Sequence, residues 1–134
     1  MKLSNSYIGL PEEFYQVVNP SPVKNPKILI FNEDLAESLG IKLNNEEILD
    51  FFSGNRLPKD SVPIALNYAG HQFGNFVQQL GDGRAVLLGE INTKAHTYDL
   101  QLKGSGKTMF SRQGDGRSAL GPVIREYILS EAMH

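Results

Sequence analysis

The hydrophobic positions of the chain change their period as it proceeds. Over residues 1–27 the apolar and aromatic residues Tyr7, Phe14, Tyr15, Val17 and Val18 keep no sustained period, and Pro11, Pro20, Pro22 and Pro26 interrupt them. That pattern predicts an extended arm laid over a body. Residues 27–32, KILIFN, have the apolar density of a short strand. Asn32 then stands at an N-cap position, with Asp34 in the first turn, Leu35 and Leu39 at helical spacing and Gly40 behind them, which predicts a helix over 33–39. Asn44 or Asn45 caps a second helix over 46–52, closed by Ser53, Gly54 and Asn55.

After a proline-bounded linker at 58–63 the period shortens. Residues 65–75 are rich in glycine and amides. Residues 76–80 read as a strand, Gly81, Asp82 and Gly83 as a tight turn, and 85–91 as the returning strand of a hairpin. A second turn over 92–97 leads into the strand 98–103, YDLQLK. Period-two alternation puts Leu100 and Leu102 on one face and Asp99, Gln101 and Lys103 on the other. A polar, glycine-spaced loop runs to Gly121, and Pro122 suits the first position of a final helix. Val123, Ile124, Tyr127, Ile128, Leu129, Ala132 and Met133 cover most of that helix's circumference. Such a helix needs neighbours on several sides. It reaches His134 without a glycine, proline or polar exit, so the chain reads as the front part of a longer protein.

Composition narrows the possible chemistry. A chain of 134 residues with 40% hydrophobic and 21% charged residues can bury a core of one domain. A formal charge of -2 supplies no general attraction to nucleic acid or anionic membrane, so any anion site is local. The absence of cysteine excludes thiolate catalysis, disulfides and cysteine-based metal sites in this chain. The N-terminal segment, with Glu12 and Glu13 and no continuous apolar run, is neither a secretory signal nor a transit peptide. With no apolar stretch able to span a bilayer, these features point to a cytoplasmic protein without nucleic-acid or membrane partners.

Four constellations carry candidate chemistry. Gly81-Asp82-Gly83-Arg84 offers backbone N–H groups unobstructed by side chains and a forked cation for phosphate, although any tight hairpin favours the same glycines. Lys103 ends its strand beside Gly104-Ser105-Gly106-Lys107-Thr108, which departs from a P-loop because Gln101 stands where that motif needs glycine and no helix start follows. The loop 111–117, SRQGDGR, makes a locally basic region of Lys103, Lys107, Arg112 and Arg117 against Asp115; a solvated loop reads the same. Glu126 sits in an otherwise apolar helix and, if buried, needs a cation, with Lys103 the natural partner and Arg125 or solvent the competitors. His71, His96 and His134 have no metal-ligand spacing, and His71 reads as a structural residue. The order of glycine hairpin, strand-end lysine and helix glutamate is that of a kinase nucleotide lobe.

Three stretches, HQFGNFVQQLGDGRAVLLGE from His71, LQLKGSGKT from Leu100 and SRQGDGRSALGPVIREYILSEAM from Ser111, resemble the N-terminal part of the selenoprotein O (SelO) family of pseudokinase-like protein adenylyltransferases. The resemblance is dense from about Asn67 onward and looser before it. It implies an α+β fold, a protein-kinase-like N-lobe of antiparallel strands plus helix C over 63–134, preceded by an arm with short helices over 1–62, together an incomplete kinase-like fold. It also implies that ATP binds flipped, so that AMP passes to Ser, Thr or Tyr hydroxyls of protein substrates. Family nucleotide contacts fall on Gly81, Gly83, Arg84, Lys103, Asp115 and Gly116, with Lys103 and Glu126 as the catalytic pair. Met109-Phe110 stands where the family usually has Pro-Tyr. The family's catalytic Asp, its further arginines and its magnesium ligands would lie beyond residue 134, so no metal ligand is assigned here and the 134 residues alone should be inactive. The alternatives are a non-catalytic nucleotide-binding or scaffold module and an ordinary kinase-type phosphotransferase.

Overall fold

The computed structural model describes residues 1–133, so His134 lies outside the described residues. The chain is α+β. Its main sheet has four strands in the order β1-β2-β5-β6, with β1 at Tyr15–Val17, β2 at Ile64–Leu66, β5 at Ala85–Asn92 and β6 at Thr97–Lys103. Every neighbouring pair is antiparallel. β5 is central, and all its residues but the last are buried. Val86 and Leu88 join Leu3, Ile91 and Leu102 in the core cluster. β5 and β6 form a long hairpin about the turn expected over 92–97, closed where Asn92 faces Thr97. Thr97 Oγ1 donates to Asn92 Oδ1 at 2.7 Å, and Thr93 both donates to and accepts from the backbone of His96.

The two short helices follow their caps. α1, Glu33–Ser38, starts where Asn32 accepts a hydrogen bond from the Leu35 N–H at 2.9 Å, with Glu33 and Asp34 at its positive end. α2, Asn45–Ser53, carries a capping box: Asn44 accepts from the Glu47 N–H while Glu47 accepts from the Asn44 N–H. Ile48 and Phe51 are its buried residues. The last helix, α3, is Leu120–Met133, beginning two residues before Pro122. Pro122 still lies in the first turn, where backbone N–H groups have no intrahelical acceptor.

Two expectations are corrected. Residues 27–32 form no strand. They add to neither sheet edge; Leu29 and Ile30 stay exposed, and with α2 and α3 the segment walls an apolar groove of about 360 Å³. Residues 76–80 do not pair with 85–91. Instead β4, Asn75–Val77, turns back on β3, Gly70–Gln72, as a separate two-stranded sheet. The two-residue turn between them is Phe73-Gly74, with φ of 53° and 77°, the positive values that a type I′ turn requires. Gly81 and Asp82 are therefore not a hairpin tip; they run alongside the end of β2, with Gly81 N donating to Tyr68 O and Asp82 N to Leu66 O. The N-terminal arm is joined to the sheet at three places. Its β1 pairs with β2, Ser4 bridges to Glu90, and Leu3 is buried in the core.

β2, β5 and β6 thus make three successive antiparallel strands with α3 following, an arrangement compatible with a kinase-like N-lobe. Residues 67–84, which contain the small β3–β4 hairpin, link β2 to β5. α3 has no buried residue, and Ile128, Leu129 and Met133 are exposed. No helix among the described residues is long and apolar enough to cross a membrane.

Candidate nucleotide site

Lys103 is the last residue of β6 and leaves the sheet on its polar side, while its neighbour Leu102 is buried in the core. Its Nζ donates to Glu126 Oε2 at 2.7 Å. Arg84 Nη2 stands 4.0 Å from the other carboxylate oxygen, so Glu126 is shared by two cations from different elements. Glu126 is exposed rather than buried, and the second cation in contact is Arg84 rather than Arg125. The hydrogen bond from Lys103 holds the Glu126 carboxyl below its ordinary range; the charges of Lys103, Arg84 and Arg125 act in the same direction and outweigh the opposing desolvation. Because the side chains are 44% and 46% exposed, the pair contributes only about 0–1 kcal/mol to stability. Its main effect is to hold the lysine in one direction.

The glycine turns are required by close packing. Gly81 has φ of 62°, and a Cβ there would collide with the ring of Phe110. Gly116 has φ of 71°, and a Cβ there would collide with the Gly106 carbonyl; that carbonyl belongs to the residue whose N–H donates to Gly116 O at 3.0 Å. Both positions accept no side chain, so Phe110 packs directly on the first turn and Gly106 on the second.

Between these glycines lies a side chain whose sequence setting reads as ordinary turn chemistry. Asp82 is 7% exposed. Its Oδ2 accepts from Leu66 N at 3.1 Å and Gln101 Nε2 at 3.3 Å, and its Oδ1 accepts from the Tyr68 hydroxyl at 3.0 Å. Burial first, and then this bond to Asp82, pushes the Tyr68 hydroxyl pKa up. The Asp82 carbonyl accepts from Thr108 Oγ1 at 2.6 Å, and the Gly83 carbonyl from Ser111 Oγ at 2.6 Å. These bonds tie residues 81–83 to 108–111, so two glycine turns distant in sequence are fixed relative to each other. The signal in the sequence was an acidic residue between glycines in a motif that occurs twice.

The result is a polar cleft of about 640 Å³, and Gly81, Gly83, Arg84, Lys103, Asp115 and Gly116 all line it. Glu126 stands at its edge through Lys103. The basic residues of the neighbouring loop have different roles. Arg117 donates to the carbonyls of Gly104, Ser21 and Pro22 at 3.2–3.4 Å and so clamps the arm to the loop. Asp115 Oδ1 accepts from the Arg117 N–H at 2.8 Å, which shapes the turn. Lys107 does not line the cleft, and Arg112 does. His71 packs against Phe76, with ring centroids 5.5 Å apart. Among the described residues no group of three or more His, Asp or Glu side chains is arranged to hold a metal ion. Chemically, the cleft offers the cations Arg84, Lys103 and Arg112, with Lys103 held by Glu126, a set suited to the phosphates of a nucleotide.

A family model described as protein adenylyltransferase SelO matches residues 1–134. A protein nucleotidyltransferase YdiU of Maridesulfovibrio salexigens is 58% identical over 136 aligned residues, covering 99% of this chain and 28% of that protein. Proteins of the same name from Agrobacterium fabrum and Brevibacillus brevis are 57% and 55% identical, with 28% and 27% of their lengths covered. The chain therefore spans little more than a quarter of the length of these relatives.

Proposed function

The chain belongs to the protein adenylyltransferase SelO family, and on that premise we propose that it is the nucleotide lobe of an enzyme that moves AMP from ATP to Ser, Thr or Tyr hydroxyls of proteins. The observation that carries this reading is the 2.7 Å Lys103–Glu126 pair at the edge of a cleft lined by the two glycine turns. In the proposed reaction a protein hydroxyl oxygen attacks the α-phosphorus of ATP. A new O–P bond forms, the bond from the α-phosphorus to the bridging oxygen breaks, and pyrophosphate leaves with that electron pair. The hydroxyl proton passes to a base outside this chain. Lys103 and Arg84 stabilise the charge that develops on the phosphate oxygens, while the turns carrying Gly81, Gly83 and Gly116 line the cleft in which the phosphates lie. Magnesium, which the family reaction implies, would be held by residues beyond 134. Residues 63–134 form the lobe proper in this reading, and residues 1–62 brace it through β1 and Arg117.

The experiment compares two labels on the full-length protein. AMP transfer labels a protein target from α-labelled ATP and not from γ-labelled ATP; an ordinary kinase does the reverse, and that result would overturn the reading. Because the chain spans little more than a quarter of its relatives' length, a second behaviour is expected of the 134 residues alone: weak or absent ATP binding and no transfer. Calorimetry with ATP and magnesium measures it, and tight binding by the isolated chain would contradict that expectation.

A further inference from the structure

Arg112 is a cation in the cleft that neither the Lys103–Glu126 pair nor the arm clamp uses. It lines the same cleft as Gly81, Arg84 and Lys103. Its backbone has φ of 53°, a left-handed conformation that a branched or long side chain adopts against local preference. The residues around it hold it there. Ser111 N donates to Thr108 O at 3.2 Å, Gly114 N donates to Ser111 O at 2.8 Å, and Ser111 Oγ donates to the Gly83 carbonyl. A strained conformation that is so firmly determined marks a position where direction matters.

The charge of Arg112 is also uncompensated. The ion pairs among the described residues are Arg56–Asp50, Arg84–Glu126 and Lys103–Glu126. Arg112 instead donates one N–H, from Nη1, to the neutral side-chain oxygen of Gln72 at 3.1 Å. That bond orients the guanidinium and leaves its full charge and its other donors available. Gln72 ends β3, so the small β3–β4 hairpin serves the cleft by bringing an amide oxygen to this arginine. A planar guanidinium, oriented by a neutral acceptor beside two other cations, suits two oxygens of a phosphate.

We propose that Arg112, oriented by Gln72, is a further phosphate-binding residue of this nucleotide site. The proposal rests on the nucleotide reading above. Dissociation constants for ATP and for adenosine, with thermal unfolding, are measured on the full-length protein and on Arg112→Ala, Arg112→Gly and Gln72→Ala. Arg112→Ala weakens ATP about tenfold, as expected for one charged contact, and leaves adenosine, which lacks phosphates, unchanged. Gln72→Ala gives a smaller loss of ATP affinity, because the guanidinium is kept but no longer oriented. Arg112→Gly relieves the left-handed strain, so it loses ATP affinity while its Tm stays level or rises. A purely structural arginine would lower Tm and affect both ligands equally. That result, or ATP binding by Arg112→Gly as tight as wild type, overturns the assignment. Wild-type protein that binds no ATP would overturn the nucleotide reading itself, whereas normal wild-type binding with unaffected variants overturns only the role of Arg112.

Discussion

Replacing Asp82 with alanine tests whether the glycine turns are held by one carboxylate. The substitution removes the acceptor of three hydrogen bonds, from Leu66 N, Tyr68 Oη and Gln101 Nε2. Bonds to a charged acceptor contribute about 1.5–3 kcal/mol each when buried. Here the sum is smaller, because Tyr68 and Gln101 are exposed enough to regain water, and only the Leu66 N–H is left poorly solvated. The net cost is about 2 kcal/mol, a fall in Tm of roughly 6–10 °C for a chain of this size. Asp82→Asn keeps one oxygen for Leu66 and Gln101 and turns its amide toward Tyr68, whose hydroxyl can rotate to accept. It should cost about 1 kcal/mol or less and bring the raised Tyr68 pKa back toward its ordinary value. Urea unfolding followed by circular dichroism gives the stabilities, and absorbance titration gives the tyrosine. If Asp82→Ala unfolds with the wild type, or if asparagine is as harmful as alanine, the carboxylate is not what holds the turns.

Other substitutions separate orientation from stability. Glu126→Gln should change stability by no more than about 1 kcal/mol, since the pair is exposed, yet lower AMP transfer in the full-length protein several-fold by freeing Lys103. Glu126 has its pKa lowered in the fold, so its small stabilising contribution is complete above the unfolded value and is lost as pH falls through the folded one. Acid unfolding of Glu126→Gln should therefore converge with wild type at low pH and diverge above about pH 4.5, and equal curves at neutral and acid pH would contradict the pairing. Phe73→Asn should stabilise the chain by about 0.5–1 kcal/mol, because a 95% exposed ring loses no packing and asparagine suits the type I′ position. A fall in Tm would mean that the ring has a partner in the folded protein.

What was legible in the sequence was what local chemistry decides. Asn32 and Asn44 cap their helices through bonds spanning three residues, so the starts of α1 and α2 could be read within one position. The strands β5 and β6 could be read because they are long, β5 from its continuous apolar run and β6 from its alternation, although β5 was paired with 76–80 in place of β6. β1, β2, β3 and β4 have three residues each, too few for a period, and β1 finds β2 across the whole helical arm. Residues 27–32 misled because apolar density reports burial pressure without reporting a free sheet edge. At the site, Glu126 stood out as a charge in an apolar helix, and Lys103 as its natural partner. Asp82 did not, because an aspartate between glycines has the composition of any turn, and only the tertiary fold brings Leu66, Tyr68 and Gln101 to it. The left-handed backbone of Arg112 left no mark in the sequence at all.

The proposed AMP transfer depends on Lys103, and its removal is the sharpest experiment. Lys103→Ala in the full-length protein is incubated with α-labelled ATP, magnesium and protein substrate, beside a wild-type control and a circular dichroism spectrum of each. Wild-type reactions should be labelled, the variant should give no label above background, and the spectra should superimpose, since an exposed strand-end lysine contributes little to the fold. Undiminished labelling by a folded Lys103→Ala protein would contradict the role proposed for this lysine.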